Sequence, residues 1–340
     1  MSGSGGYVGA VEANQSKAED LLRDKHNCYL QHLDDDKESL EYMMSEHLRM
    51  GGVYWGVSAM ALLQRLDNER RDSIVEWILR CRDPNTPGGF GPNVGHDADI
   101  TATHYALLVL CIFDATDKLD REGMVAFIAG LQQRDGSFAG DHWGEVDVRF
   151  AYCALSALTI LDTLDSIDVD ACVGWILRCM NYEGSFGPVP RAESHAAYVF
   201  CAVQALALVD ALGAIDVDQL GWWLCERQTP SGGFNGRPEK APDVCYSWWI
   251  LSALATIDRV HWIDVEKLAE FIIAAQDGED GGIADRPGDV PDVFHTFFGL
   301  AGLSLMRRVD LAPIHCVYAL PLEVVQRMGL PPILPMYDSR

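Results

Sequence analysis

The chain has 340 residues, 49% of them hydrophobic, and a formal net charge of −24 from 26 basic and 50 acidic side chains. That length and apolar content suffice for a large core, in one large domain or two ordinary ones. The acidic excess argues against nucleic acid or an anionic membrane as the main partner, because both reward clustered Lys and Arg.

The first twenty residues carry no basic region followed by an apolar stretch, and Ser2 follows Met1 where N-myristoylation needs glycine. Residues 1–17 are therefore expected to form a flexible tail ahead of a single domain spanning 18–340. Ten cysteines without a CxxC pair, several inside apolar runs as at Cys111, Cys153 and Cys201, suit buried thiols in a reducing compartment. A cytoplasmic location is expected. The longest apolar run, AAYVFCAVQALALV at 196–209, is too short for a bilayer and contains Gln204, so no integral membrane association is expected.

Along the chain, SLEYMMSEHLRM (39–50) and GGVYWGVSAMALLQRL (51–66) read as a first pair of helices. Five more pairs follow, punctuated by glycine-rich turns around Phe90, Phe138, Phe186, Phe234 and Ile283, at spacings of 48, 48, 48 and 49 residues. A register kept that closely marks a repeat architecture. Before each turn lies an amphipathic segment such as SIVEWILRC or ACVGWILRC, with glycine just past its end as a stop signal. After each turn comes a more uniformly apolar helix, such as ATHYALLVLCIF or VCYSWWILSALATI, whose apolar circumference implies burial on all sides. Half-exposed and buried helices in alternation stack as an outer and an inner ring. Six pairs predict an all-α fold, a closed α6/α6 barrel, because closure hides both terminal faces.

Nine residues after each marker stand Asp99, Asp147, His195, Asp243 and Asp292, so four of the five repeats place Asp where an inner helix begins, a good N-cap position. Taken alone, Asp243 is a cap. Two residues farther on, the repeats have Thr101, Arg149, Ala197, Cys245 and Phe294, and the next position has His295 in the last repeat. Cys245 and His295 are departures from the repeat at nearly equal heights on adjacent inner helices. With Asp243 they make one carboxylate, one thiolate and one imidazole, the three-ligand pattern of a catalytic zinc with an open fourth position. A lone cysteine or histidine at a helix start usually packs or hydrogen-bonds; the shared register is what raises these above that.

Arg237, Lys240 and His195 fall on the same rim, beside inner-helix N-termini whose dipoles favour anions. With the Tyr246 hydroxyl they suit a diphosphate. The plain alternative is that Arg237 and Lys240 pair with nearby acids. The inner helices carry thirteen aromatics, among them Tyr54, Trp55, Tyr105, Trp248, Trp249 and Phe298. About half of these are expected to be ordinary core and the rest the wall of a funnel for a long apolar chain with a charged head.

Five stretches, RPEKAPDVCYSWW (237–249), RAESHA (191–196), DGSFAGDHWGEVDVRF (135–150), LGWWLCERQTPSGGFNGRPEK (220–240) and ADRPGDVPDVFHTFFGLAGLSL (284–305), resemble the β subunits of Rab geranylgeranyltransferases, the type II protein geranylgeranyltransferases. The resemblance runs from about Leu40 to the C-terminus. It implies a catalytic subunit in a heterodimer with a helical α subunit. That enzyme transfers geranylgeranyl from geranylgeranyl diphosphate to C-terminal cysteines of Rab GTPases presented by a Rab escort protein, forming a thioether. The family's zinc ligands fall on Asp243, Cys245 and His295, and its diphosphate contacts on His195, Arg237, Lys240 and Tyr246, with Trp248 and Trp249 beside the lipid. Asp285 matches a position that helps hold magnesium in farnesyl-transferring relatives, and Arg149 a family arginine near the peptide channel. Gly51 stands where farnesyl-binding relatives have a bulky aromatic, leaving room for a fourth isoprene unit, whereas His104 stands where similar Rab-type sequences are apolar.

Other readings compete. One is a farnesyl or type I geranylgeranyl transferase β subunit; another is a non-catalytic α/α-barrel binding module. A terpene cyclase of this architecture would need a DxDD-like acid motif, and a glycosidase paired carboxylates in the lumen; neither pattern occurs on the inner helices.

Overall fold

The computed structural model describes residues 21–33, 37–38 and 40–333. The expected tail at 1–17 lies outside them. Six apolar helices, Arg49–Leu62, Ile100–Ile112, Val148–Ile160, Ala196–Leu208, Tyr246–Thr256 and Val293–Met306, pack each against the next, and the sixth packs against the first. The inner ring is closed. Around it run the outer helices Arg71–Arg80, Arg121–Gly130, Val169–Arg178, Val217–Cys225 and Val265–Ala274.

The sixth outer helix is not the segment the sequence suggested. Leu40–Met44 is a short helix whose Leu40, Met43 and Met44 are exposed, and the ring is completed by Arg23–His32. The repeat turns explain why. A Cβ on Gly136 would lie 2.0 Å from the Ala171 carbonyl and one on Gly232 2.3 Å from that of Lys267, each on the next outer helix. Gly281 meets the Lys25 carbonyl in the same way, at 2.3 Å. Positive φ and backbone contact together admit only glycine there. Glutamines at the ends of outer helices add a second tie. Gln132 brackets the backbone of Asp168 at 2.8 and 2.9 Å, Gln228 does the same to Asp264, and Gln276 accepts from Leu22 N–H at 2.9 Å.

The marker residues Phe90, Phe138, Phe186, Phe234 and Ile283 are buried under these turns. Four of the inner helices start where the capping residues predict, while the fifth starts only at Tyr246, after Cys245 and not directly after Asp243. Asp99, Asp147, His195 and Asp292 each accept a first-turn N–H through the side chain, and Asp243 accepts that of Cys245 at 2.7 Å. All inner N-termini therefore face one end of the barrel. The other end is plugged by residues 312–327: Ala312 N–H donates to Leu62 O, Tyr54 Oη to Ala319 O at 2.6 Å and Tyr152 Oη to Val317 O at 2.9 Å.

One residue from each inner helix forms a buried aromatic belt: Tyr54, His104, Tyr152, Phe200, Trp248 and Phe297. Its rings meet mostly edge to face, with centroids 5.3 Å apart for Tyr54 and Phe297, 5.7 Å for His104 and Tyr152, and 5.2 Å for Tyr152 and Phe200. Of the thirteen inner-helix aromatics, Tyr105, Tyr198, Tyr246, Trp249 and Phe294 keep partial exposure. Among the described residues no helix is long and apolar enough to cross a membrane.

Candidate metal centre and anion-binding rim

The open end of the inner ring gathers the three residues the repeat comparison singled out. One ligand atom each from Asp243, Cys245 and His295 lies within 4.8 Å of the others. Asp243 and Cys245 stand at the start of the Tyr246–Thr256 helix and His295 in the first turn of the adjacent Val293–Met306 helix. His295 Nε2 is 3.2 Å from Asp243 Oδ1, and His295 Nδ1 is 2.6 Å from Asp292 Oδ2.

The electrostatics are those of a site built for a cation. Burial disfavours a charged His295, but hydrogen bonds to Asp243 and Asp292 outweigh it and raise the imidazole to about 9. Burial likewise opposes ionisation of Asp243, yet hydrogen bonds from His295 and Cys245 hold it below its ordinary range. Burial first, and then the Asp243 charge, push the Cys245 thiol well up. Without a cation the imidazolium fills that role; a divalent metal would replace its Nε2 proton and favour the thiolate. Soft sulfur, imidazole nitrogen and carboxylate oxygen together fit zinc, whose usual four-coordination three protein ligands would leave one short.

Next to the triad, His195 accepts from Ala197 N–H through Nδ1 at 3.2 Å and faces Tyr246 Oη through Nε2 at 3.2 Å. Burial, reinforced by the nearby Arg237, lowers its pKa, and with Nδ1 accepting from Ala197 it is Nε2 that is turned toward the rim. The Tyr246 ring rests on Gly236, where a Cβ would lie 2.3 Å from the hydroxyl. Arg237 pairs with Glu193, and Lys240 is exposed on the same loop, which Asn235 braces by donating to Lys240 O at 3.1 Å. Both partners of the Arg237 pair are substantially exposed, so the pair is weak and holds Arg237 only loosely.

An aromatic wall leads away from the triad. Phe294 lies 5.0 Å from the His295 ring, 5.0 Å from Trp55 and 4.6 Å from Phe298, which touches Trp249 at 4.4 Å; Trp55 in turn meets Tyr105 at 6.0 Å. At its far end is Gly51, whose absent Cβ would be 3.1 Å from Trp55 and 3.4 Å from Tyr105. Trp249 belongs to this wall. Trp248 is fully buried in the belt and offers it no surface. His104 is also in the belt, 2.9 Å from Ser156 Oγ through Nε2. The Asp285 carboxylate is held by Arg286 at 2.8 and 2.5 Å, so a cation there would compete with that pair, while its carbonyl accepts from Val244 N–H beside the triad. Arg149 is held bidentately by Asp147 at 3.0 and 3.1 Å, with Tyr198 5.8 Å from its guanidinium.

Sequence reading missed three residues: Asp292, Glu193 and Gly236. Asp292 had been assigned only a capping role, although its three-residue spacing from His295 was a usable signal. Glu193, two residues from His195, and Gly236, beside Arg237, left no such mark.

Residues 21–320 match the family model of the prenyltransferase alpha-alpha toroid domain. The chain is 62% identical over 312 residues to the probable geranylgeranyl transferase type-2 subunit beta of Dictyostelium discoideum, covering 91% of each chain. It is 48% identical over 313 residues to the geranylgeranyl transferase type-2 subunit beta of Saccharomyces cerevisiae, covering 90% of this chain and 96% of the relative. The chain belongs to the type-2 geranylgeranyl transferase β-subunit family. It is thus a β subunit of a prenyl-transferring enzyme. Among solved structures, the Candida albicans protein geranylgeranyltransferase-I complexed with GGPP superposes with a TM-score of 0.84 at 23% identity, covering 91% of this chain and 98% of that one. At that identity the likeness speaks for the prenyltransferase fold alone.

Proposed function

We propose that the chain is the catalytic β subunit of a zinc-dependent enzyme that transfers geranylgeranyl from its diphosphate to C-terminal cysteines of Rab GTPases. An α subunit completes the enzyme, and an escort protein presents the Rab. The observation that carries this reading is the juxtaposition, at the open end of one barrel, of the Asp243–Cys245–His295 triad, the Arg237–Lys240–Tyr246 rim and the aromatic wall ending at Gly51. Relatives named as type-2 geranylgeranyl transferase β subunits support the choice of lipid.

In this reading Asp243, Cys245 and His295 hold zinc. When bound, zinc lowers the pKa of an acceptor cysteine so that it is a thiolate near neutral pH. Trp249, Phe294, Trp55 and Tyr105 hold the isoprenoid and keep water from it. Arg237 and Lys240, with Tyr246 Oη and His195 Nε2, receive the charge that develops on the departing diphosphate. Zinc analysis of the purified protein and of Cys245→Ala is the direct test. The variant is expected to lose the metal and the ability to transfer labelled geranylgeranyl to escort-bound Rab in the presence of the α subunit. Zinc content unchanged by the substitution would sink the assignment.

A further inference from the structure

We propose that Asp292 is a positioning residue for the metal centre: it fixes the imidazole of His295 so that Nε2, and not Nδ1, is offered to the cation. The inference rests on the metal reading above and adds to it a residue outside the ligand set.

The geometry is specific. Asp292 uses its two carboxylate oxygens for two different tasks: Oδ1 accepts the His295 backbone N–H at 2.8 Å, and Oδ2 accepts the ring Nδ1–H at 2.6 Å. The first task is the cap that this place in the repeat performs elsewhere, as when Asp99 accepts Ala102 N–H at 2.8 Å. The second is peculiar to the last repeat, because only there does a histidine follow the cap by three residues. An acceptor on Nδ1 keeps the proton on that nitrogen and leaves the Nε2 lone pair for a metal. Nε2 is the nitrogen that faces Asp243, at 3.2 Å. Anchored through backbone and ring at once, the imidazole has little freedom to rotate away from Cys245. A cap inherited from the repeat has thereby become the outer partner of a ligand.

Replacing one oxygen separates the two tasks. In Asp292→Asn the remaining oxygen still caps the helix, since asparagine is as good an N-cap as aspartate. The amide NH2 then faces Nδ1 as a donor, which demands a lone pair there and moves the ring proton to Nε2, the wrong nitrogen for metal binding. Asp292→Ala removes both the cap and the acceptor.

The full chain, freed of metal, is titrated with zinc alone against a chromophoric chelator, and its thermal midpoint is recorded without metal. For Asp292→Asn the expected result is zinc binding weakened about 10- to 100-fold, with a metal-free midpoint no lower than that of Asp292→Ala, because the cap remains. Cobalt(II) at saturation should still give the thiolate charge-transfer band of Cys245. Asp292→Ala should bind zinc weakly too, with a lowered midpoint. Asp292→Asn that binds zinc as tightly as the unsubstituted chain, whatever Asp292→Ala does, would overturn the proposal while leaving the three ligands in place. An unsubstituted chain that takes up no zinc would remove the metal reading and this proposal with it.

Discussion

His104 offers the most quantitative test of the interior. It sits in the aromatic belt, 3% exposed and hydrogen-bonded to Ser156, and burial pushes its pKa down to about 3. In the unfolded chain a histidine titrates near about 6.5. As pH falls below that value the unfolded state takes up the proton and the folded state does not, so stability is full above about pH 6.5 and is lost as pH falls toward 3. By pH 5 the loss from this residue is about 1.5 units at about 1.4 kcal/mol each, roughly 2 kcal/mol. His104→Leu abolishes that term. It also strands the Ser156 hydroxyl, at a cost of about 1–3 kcal/mol that does not depend on pH. The readout is therefore the slope of stability with pH and not its absolute value. Urea unfolding at about pH 7 and about pH 5 should show the unsubstituted chain losing about 2 kcal/mol more than the variant over this interval. His26 and His315, which burial also depresses, are present in both proteins and cancel. A variant whose stability falls as steeply as that of the unsubstituted chain would show that His104 is not held neutral by burial.

Two further expectations concern the site. Gly51→Trp places an indole against Trp55 and Tyr105 at the end of the aromatic wall. One isoprene unit of five carbons, at about 0.8 kcal/mol per buried carbon, is worth up to about 4 kcal/mol, so preference should swing toward farnesyl by as much as about a thousandfold. The ratio of kcat/KM for the two diphosphates measures it, and an unchanged ratio would remove Gly51 from the lipid site. Gly236→Ala puts a methyl 2.3 Å from Tyr246 Oη, so the ring must swing away from His195. Loss of one polar contact to the substrate predicts weaker binding of geranylgeranyl diphosphate by up to about tenfold, with zinc content unchanged. Equal affinity in a direct binding titration would take Tyr246 out of the rim.

The repeat and the helix starts were legible in one dimension because both are local. The glycine turns, the Asp caps and the apolar periodicity each depend on residues within a few positions of one another, and the 48-residue spacing made Cys245 and His295 stand out as exceptions. The same register brought Asp243, Cys245 and His295 to one place, since equal heights on adjacent helices follow from it directly. Three things needed the folded chain. Arg23–His32 joined the outer ring because Gly281 receives its backbone, a contact across more than 250 residues that no periodicity signals. Trp248 and Trp249, neighbours in sequence, parted company because successive helical residues are turned about 100° from each other, so one entered the buried belt and the other the wall. Asp292 read as a cap alone until its second oxygen was found on the His295 imidazole. Sequence alone determined the architecture and singled out the three residues of the candidate metal centre, which local rules and a repeat encode. The direction in which each side chain points, and whether its polar atoms meet a partner or a ligand, was decided by the closure of the ring.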